Sequence, residues 1–232
     1  MRWSNYLMVL VGASMIFACV ADDPQSPNME ARSFGIKGVD ISKYQGRVDF
    51  KKMKASGIRY VFIRATEGNT YQDVNYKFNI ASARAAGLVI GVYHFYETND
   101  APLSQLDNFK RIVSLSAGDL PPVIDIETLH QQDKTNLINN IHVFLNGLES
   151  HYGAKPILYS GRNFSNEYLD RLGDYPLWLA EYDVDKPTLP AAWSNWTFWQ
   201  WSQSSTVSGI DGLVDADRFN GDELSFRKLL IK

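Results

Sequence analysis

From Ile36 onward the chain alternates short apolar runs with stretches of helical periodicity. The apolar runs are residues 36–42, 60–66, 89–96, 122–127, 156–160, 177–182, 197–202 and 212–219. Several are continuous in Val, Ile and Tyr, as expected of parallel strands buried on both faces. Helical patterns fill the early gaps at residues 50–56, 76–86, 101–117, 134–152 and 163–172. Four of them stop at Gly87, Gly118, Gly153 and Gly173, where glycine would supply the left-handed stop. The last three strands leave no room for helices between them. Five β-α units followed by three strands predict an α/β fold, a single irregular TIM-like (β/α)5(β)3 barrel. No internal repeat or low-complexity segment interrupts it.

The sequence ahead of Ile36 is of another kind. Arg2 precedes an apolar, uncharged run from Tyr6 to Ala18. That run is too short for a stable membrane span, so residues 1–18 are expected to be an export signal. Cys19, the only cysteine, follows Ile16-Phe17-Ala18 and resembles the lipidated cysteine of a bacterial lipoprotein, although Phe17 is bulky for such a site. The alternative is an ordinary signal peptide cleaved nearby. Residues 19–35 are polar, carry two prolines and read as a flexible tether to a domain at 36–232. The expected location is outside the cytoplasm, anchored by lipid and facing periplasm or cell surface. Without a disulfide, the domain must rest on its core.

Charge and composition exclude more than they identify. The formal net charge is −3, and no basic patch suggests nucleic-acid binding. Aromatic residues make up 13% of the chain, which suits sugar stacking and large cores equally. No Gly-x-Ser-x-Gly elbow or phosphate-cradling glycine loop is present. The four histidines lack metal-ligand spacing, so neither a metal nor a cofactor is expected.

Acids, by contrast, recur where strands end. Pro121-Pro122-Val123-Ile124-Asp125-Ile126-Glu127 reads as a buried strand aiming two carboxylates one way. Residues i and i+2 share a face about 6–7 Å apart, near the ~5–5.5 Å between carboxyls in retaining glycoside hydrolysis. A structural ion pair with Arg64 or Lys43 is the competing reading. In the catalytic one, Glu127 protonates the departing oxygen, and Asp125 attacks or orients a substrate group that does. Asp40 and Asp215 fall on the same rim, and an acid-rich pocket helps keep one acid protonated. Asp217 is expected to be solvated or loop-capping. Glu67 divides evenly between rim hydrogen bonding and substrate contact, and His94 is packed or touches substrate. Tyr96, Tyr159, Trp178, Tyr182 and Gln200 are further candidates. Strand alternation separates Gln200 from Trp199 and Trp201.

Taken in order, these segments resemble the glycoside hydrolase family 25 lysozymes, the Chalaropsis-type muramidases, over nearly all of residues 36–222. The matching segments are Gly38-Val39-Asp40-Ile41-Ser42, Phe62-Ile63-Arg64-Ala65-Thr66-Glu67-Gly68, Gly91-Val92-Tyr93-His94-Phe95 and Asp125-Ile126-Glu127. Pro156-Ile157-Leu158-Tyr159-Ser160, Leu177-Trp178-Leu179-Ala180, Phe198-Trp199-Gln200-Trp201 and Val214-Asp215 continue the series. The resemblance implies a flattened (β/α)5(β)3 barrel that cuts the β-1,4 bond between N-acetylmuramic acid and N-acetylglucosamine in peptidoglycan. It puts the acidic set on Asp40, Asp125, Glu127 and Asp215, with Glu127 as proton donor. Asp125 is left as nucleophile or as assistant to the substrate's acetamido group. Tyr93 joins the candidate substrate contacts. Arg64 stands where lysine is commoner, and Glu181 adds an acid to the Ala-x-Tyr segment. The expected protein is a monomer whose partners are peptidoglycan strands and the membrane. Rival expectations are a non-catalytic glycan-binding lipoprotein, or a glycosidase for another N-acetylated glycan. The longer Asp-x-x-Asp-x-Asp-x-Glu run of chitinase-type barrels is absent.

Overall fold

A computed structural model describes residues 35–130 and 133–232. The expected export signal, Cys19 and nearly all of the tether lie outside the described residues. Among those described, nine strands and six α-helices follow in the order β1 (Ile36–Ile41), α1 (Phe50–Ala55), β2 (Tyr60–Glu67), β3 (Tyr71–Gln72), α2 (Tyr76–Ala85), β4 (Val89–Phe95), α3 (Pro102–Ile112), β5 (Val123–Asp125), α4 (Lys134–Tyr152), β6 (Ile157–Gly161), α5 (Arg162–Tyr168), β7 (Leu177–Ala180), β8 (Phe198–Ser205), β9 (Val214–Phe219) and α6 (Glu223–Leu229). Eight strands close into a barrel in the order β1-β9-β8-β7-β6-β5-β4-β2, sealed by a β1–β2 pairing, with β3 beside β2. This is the predicted (β/α)5(β)3 plan with a helix added at its end.

Two-residue periodicity divides each strand between barrel and helices. Val39, Val61, Ile63, Ile90, Val92, Ile124, Leu158 and Leu179 turn outward into the core shared with the helices. Tyr60, Phe62, Tyr93, Val123, Tyr159, Trp178, Phe198 and Phe219 form a second cluster. The rings of that inner cluster need space, and two strand glycines supply it. A Cβ on Gly38 would lie 2.1 Å from the Tyr60 ring, and one on Gly91 2.2 Å from the Phe62 ring. Phe226 of α6 joins it, its ring 5.6 Å from Tyr60 and 5.1 Å from Phe219. A buried phenylalanine contributes about 1.5–3 kcal/mol, so α6 is an integral part of the barrel.

α4 shows how sequence sets a helix. Asp133 caps its start by accepting from Asn136 N (2.9 Å), and Gly153 ends it in the left-handed region at φ 65°. Leu137, Ile138, Ile141, Phe144, Leu145 and Leu148 form its buried stripe.

Several boundaries differ from expectation for local reasons. α3 stops at Ile112 rather than Ala117, because Val113 turns extended. Gly118 instead serves a turn, donating its N–H to Ile231 O (2.9 Å). α5 ends at Tyr168, and Gly173 is small because the Ala192 carbonyl approaches it. β9 runs antiparallel to both neighbours. The link from Ser205 to Val214 is shorter than the dozen or so residues a parallel return needs. That reversal puts the start of β9 at the rim where the parallel strands end.

Candidate active site

β1 and β9 align Asp40 with Asp215, and the parallel strands bring Asp125 and Glu127 to the same rim. Together with Ser42, Tyr44, Arg64, Tyr93, Tyr159, Trp178 and Gln200 they line a cleft of about 190 Å³. Larger cavities occur on the barrel's outer face, but they lack this set of acids. The acids identify the site better than volume does.

Gln200 is the hub beneath the acids. Its Nε2 donates to Asp40 Oδ2 (2.7 Å), while its Oε1 accepts from Tyr159 Oη (2.8 Å) and from Tyr182 Oη. Trp178 stacks on Phe62 with ring centres 4.1 Å apart and donates Nε1–H to Asp217 Oδ1 (2.8 Å). These bonds fix the rotamers of groups that face the cleft.

Burial and neighbouring charge raise the four carboxyls above the range of free carboxylates. Burial, then the Asp215 charge, raises Asp40 well above the ordinary range, against a hydrogen bond from Gln200. Burial and the Glu127 charge push Asp215 up to about 6. Asp125 is raised by burial and then by Glu127, opposed by Arg64. Glu127 is raised by burial, with a hydrogen bond from Asp125 acting the other way. Asp125 and Asp40, the more deeply buried of the four, are the ones raised well above the ordinary range.

β5 ends at Asp125, so Glu127 lies past the strand and is exposed at the mouth. The two carboxyls lie near enough that the Glu127 charge raises Asp125, whose Oδ1 is buried without a hydrogen-bond partner. Arg64 and Lys43 do not form the alternative ion pair with either acid. Arg64 Nε faces Asp73 Oδ2 (3.4 Å) and its Nη1 faces Glu67 Oε2 (3.2 Å), leaving Nη2 buried without a partner.

Of the predicted site residues, the fold brings Asp40, Asp125, Glu127, Asp215, Tyr93, Tyr159, Trp178 and Gln200 into the cleft, with Tyr182 bonded to Gln200. Glu67 is on the rim, occupied by Arg64. His94 and Tyr96 require correction as substrate contacts. Both are wholly buried on the helix-facing side, opposite in strand phase to Tyr93, where they pack on Phe144. Asp217 also departs from expectation. It is fully buried, with Oδ2 unpartnered, rather than solvated. Its alternation with Asp215 and Phe219 was the available signal. Glu181 accepts from Thr188 N (2.6 Å) and faces Arg162, tying down a loop. Sequence reasoning missed Tyr44 and the β2–β3 hairpin, whose two-residue strand is too short to show periodicity.

Comparison with known proteins agrees with this geometry. The family profile "Glycosyl hydrolases family 25" matches residues 39–210. The autolytic lysozyme of Clostridium acetobutylicum is 38% identical over 186 residues, covering 80% of this chain and 56% of that protein. The chain thus spans little more than half of that relative's length. Lysozyme M1 of Streptomyces globisporus is 30% identical over 207 residues, covering 82% of this chain and 70% of that one. The crystal structure of a Streptomyces coelicolor lysozyme superposes with a TM-score of 0.80 at 29% identity, covering 84% and 97% of the two chains.

Proposed function

The chain belongs to the glycosyl hydrolases of family 25, and on that premise we propose that it hydrolyses peptidoglycan at the β-1,4 bond between N-acetylmuramic acid and N-acetylglucosamine. The observation that carries this reading is the rim of four interacting acids, Asp40, Asp125, Glu127 and Asp215, whose protons are held above the ordinary carboxylate range. A binding module has no need of stored protons, whereas glycoside cleavage must protonate a poor leaving group.

Glu127 is the donor because it stands at the mouth, where a glycan can reach it. A docked sugar buries it further and so raises its hold on a proton. As the glycosidic C–O bond breaks, that proton goes to the leaving oxygen. Water later delivers hydroxyl to the anomeric carbon and returns a proton to Glu127. Direct attack by Asp125 would require a charged, reachable carboxylate, whereas this group is buried and its burial favours the neutral form. It therefore has an orienting role, hydrogen-bonding a substrate group such as the 2-acetamido arm. Asp40, Asp215 and Gln200 supply further polar contacts.

Export through residues 1–18 and anchoring at Cys19 belong to the same proposal, supported by the leader's sequence. A Cys19→Ser protein released from the membrane fraction would bear out the anchor, and one still membrane-bound would contradict it. For the reaction, peptidoglycan digests are reduced with borohydride and hydrolysed. Muramitol alone marks the proposed bond, whereas glucosaminitol would place cleavage at the other linkage.

A further inference from the structure

The cleft is electrically two-sided. Its acids share the lining with Tyr44 of the turn after β1 and Arg64 of β2, and beside these two, outside the lining itself, stand Lys43 and Tyr71. Ser42 and Gln45 close a capping box around that turn. The turn holds out Tyr44, 76% exposed, as one wall of the cleft. Lys43 Nζ lies 5.1 Å from the Tyr44 ring centre and 4.9 Å from that of Tyr71. Arg64 stands 5.4 and 5.6 Å from the same two rings.

The nearby carboxylates are already engaged. Asp73 Oδ2 accepts from Lys43 N (2.8 Å) and faces Arg64 Nε, while Glu67 faces Arg64 Nη1. No carboxylate among the described residues pairs with Lys43 Nζ. An exposed ring with an unneutralised ammonium beside it is a shape for a sugar that carries negative charge.

We propose that this end of the cleft is a subsite for a carboxylate-bearing sugar, its ring on Tyr44 and its carboxylate on Lys43. The inference rests on the peptidoglycan reading and makes it narrower. The enzyme selects glycan whose lactyl or attached-peptide carboxylates are free, over neutralised glycan.

The test compares three soluble substrates: peptide-free strands with free lactyl carboxylates, the same strands amidated with carbodiimide and ammonia, and peptide-bearing strands. Steady-state kinetics are measured for the parent, Lys43→Gln and Lys43→Arg. Amidation is expected to raise the parent's KM about fivefold, the size of one exposed ion pair, with kcat little changed. Lys43→Gln shows that loss on free strands and no further loss on amidated ones, and Lys43→Arg restores the preference. A stronger effect on peptide-free than on peptide-bearing strands identifies the lactyl group as the carboxylate. Equal KM for free and amidated strands in the parent, or equal losses on both in Lys43→Gln, overturns the subsite. If no strand is cut, the hydrolase reading fails instead. Calorimetric Kd values for the same substrates then judge the subsite by the same criteria.

Discussion

His94 offers a prediction with a magnitude. It is fully buried between Thr66 Oγ1, 2.7 Å from Nδ1, and Gln105 Oε1, 3.0 Å from Nε2. Gln105 Oε1 can only accept, so Nε2 carries the proton and Nδ1 accepts from Thr66. A neutral ring fits this site, and burial drives its pKa from 6.5 down to about 4. The unfolded chain therefore binds a proton through a window in which the fold does not. The stabilisation is complete above pH 6.5 and is lost as pH falls toward 4. The fall from 6.5 to about 4 amounts to roughly 3 kcal/mol. His94→Gln removes the titration and leaves the acids of the cleft in place, so the difference between the two proteins isolates this group. Urea unfolding of both from pH 7.5 to pH 4 should show the parent losing about 3 kcal/mol relative to the variant. Activity per folded molecule should match the parent's at pH 7, since the ring faces away from the cleft. A flat difference, or an imidazole titrating near 6.5 by NMR, would refute the assignment.

Other substitutions probe the cleft and its frame. Gln200→Leu strands Asp40 and the hydroxyls of Tyr159 and Tyr182, and should cost about 2–4 kcal/mol in urea unfolding. Gly91→Ala presses a methyl into the Phe62 ring and should cost about 1–3 kcal/mol, partly recovered by Phe62→Leu. The raised Asp215 means the fold keeps a proton the unfolded chain loses, so its stabilisation is present below the usual carboxylate pKa and disappears as pH rises through about 6. Asp215→Asn should flatten that part of the stability profile, and an unchanged slope would contradict it.

The barrel was legible because buried parallel strands write themselves as unbroken apolar runs, and because acids at strand ends converge once the topology closes. What escaped was decided by tertiary contact. Alternation by itself distinguishes Tyr93 from His94 but not inside from outside, so His94 stays open between packing and substrate contact, and Tyr96 a candidate, until the fold turns both toward Phe144. Asp217 has the composition of a surface residue and is held inside by Trp178. Glycine after a helical pattern predicted stops correctly at Gly153. At Gly173, the approach of the Ala192 carbonyl is what requires glycine. The β2–β3 hairpin and α6 were too short to leave periodic signals.

On the proposed mechanism Glu127 delivers the proton that breaks the glycosidic bond. The most direct test is turnover of soluble peptidoglycan strands by the parent and Glu127→Gln, with products read by mass spectrometry and strand binding measured on the same preparations. The variant is expected to fold and bind strands as the parent does, while kcat falls by roughly 10²–10⁴-fold. Turnover by Glu127→Gln at near the parent's rate would contradict it.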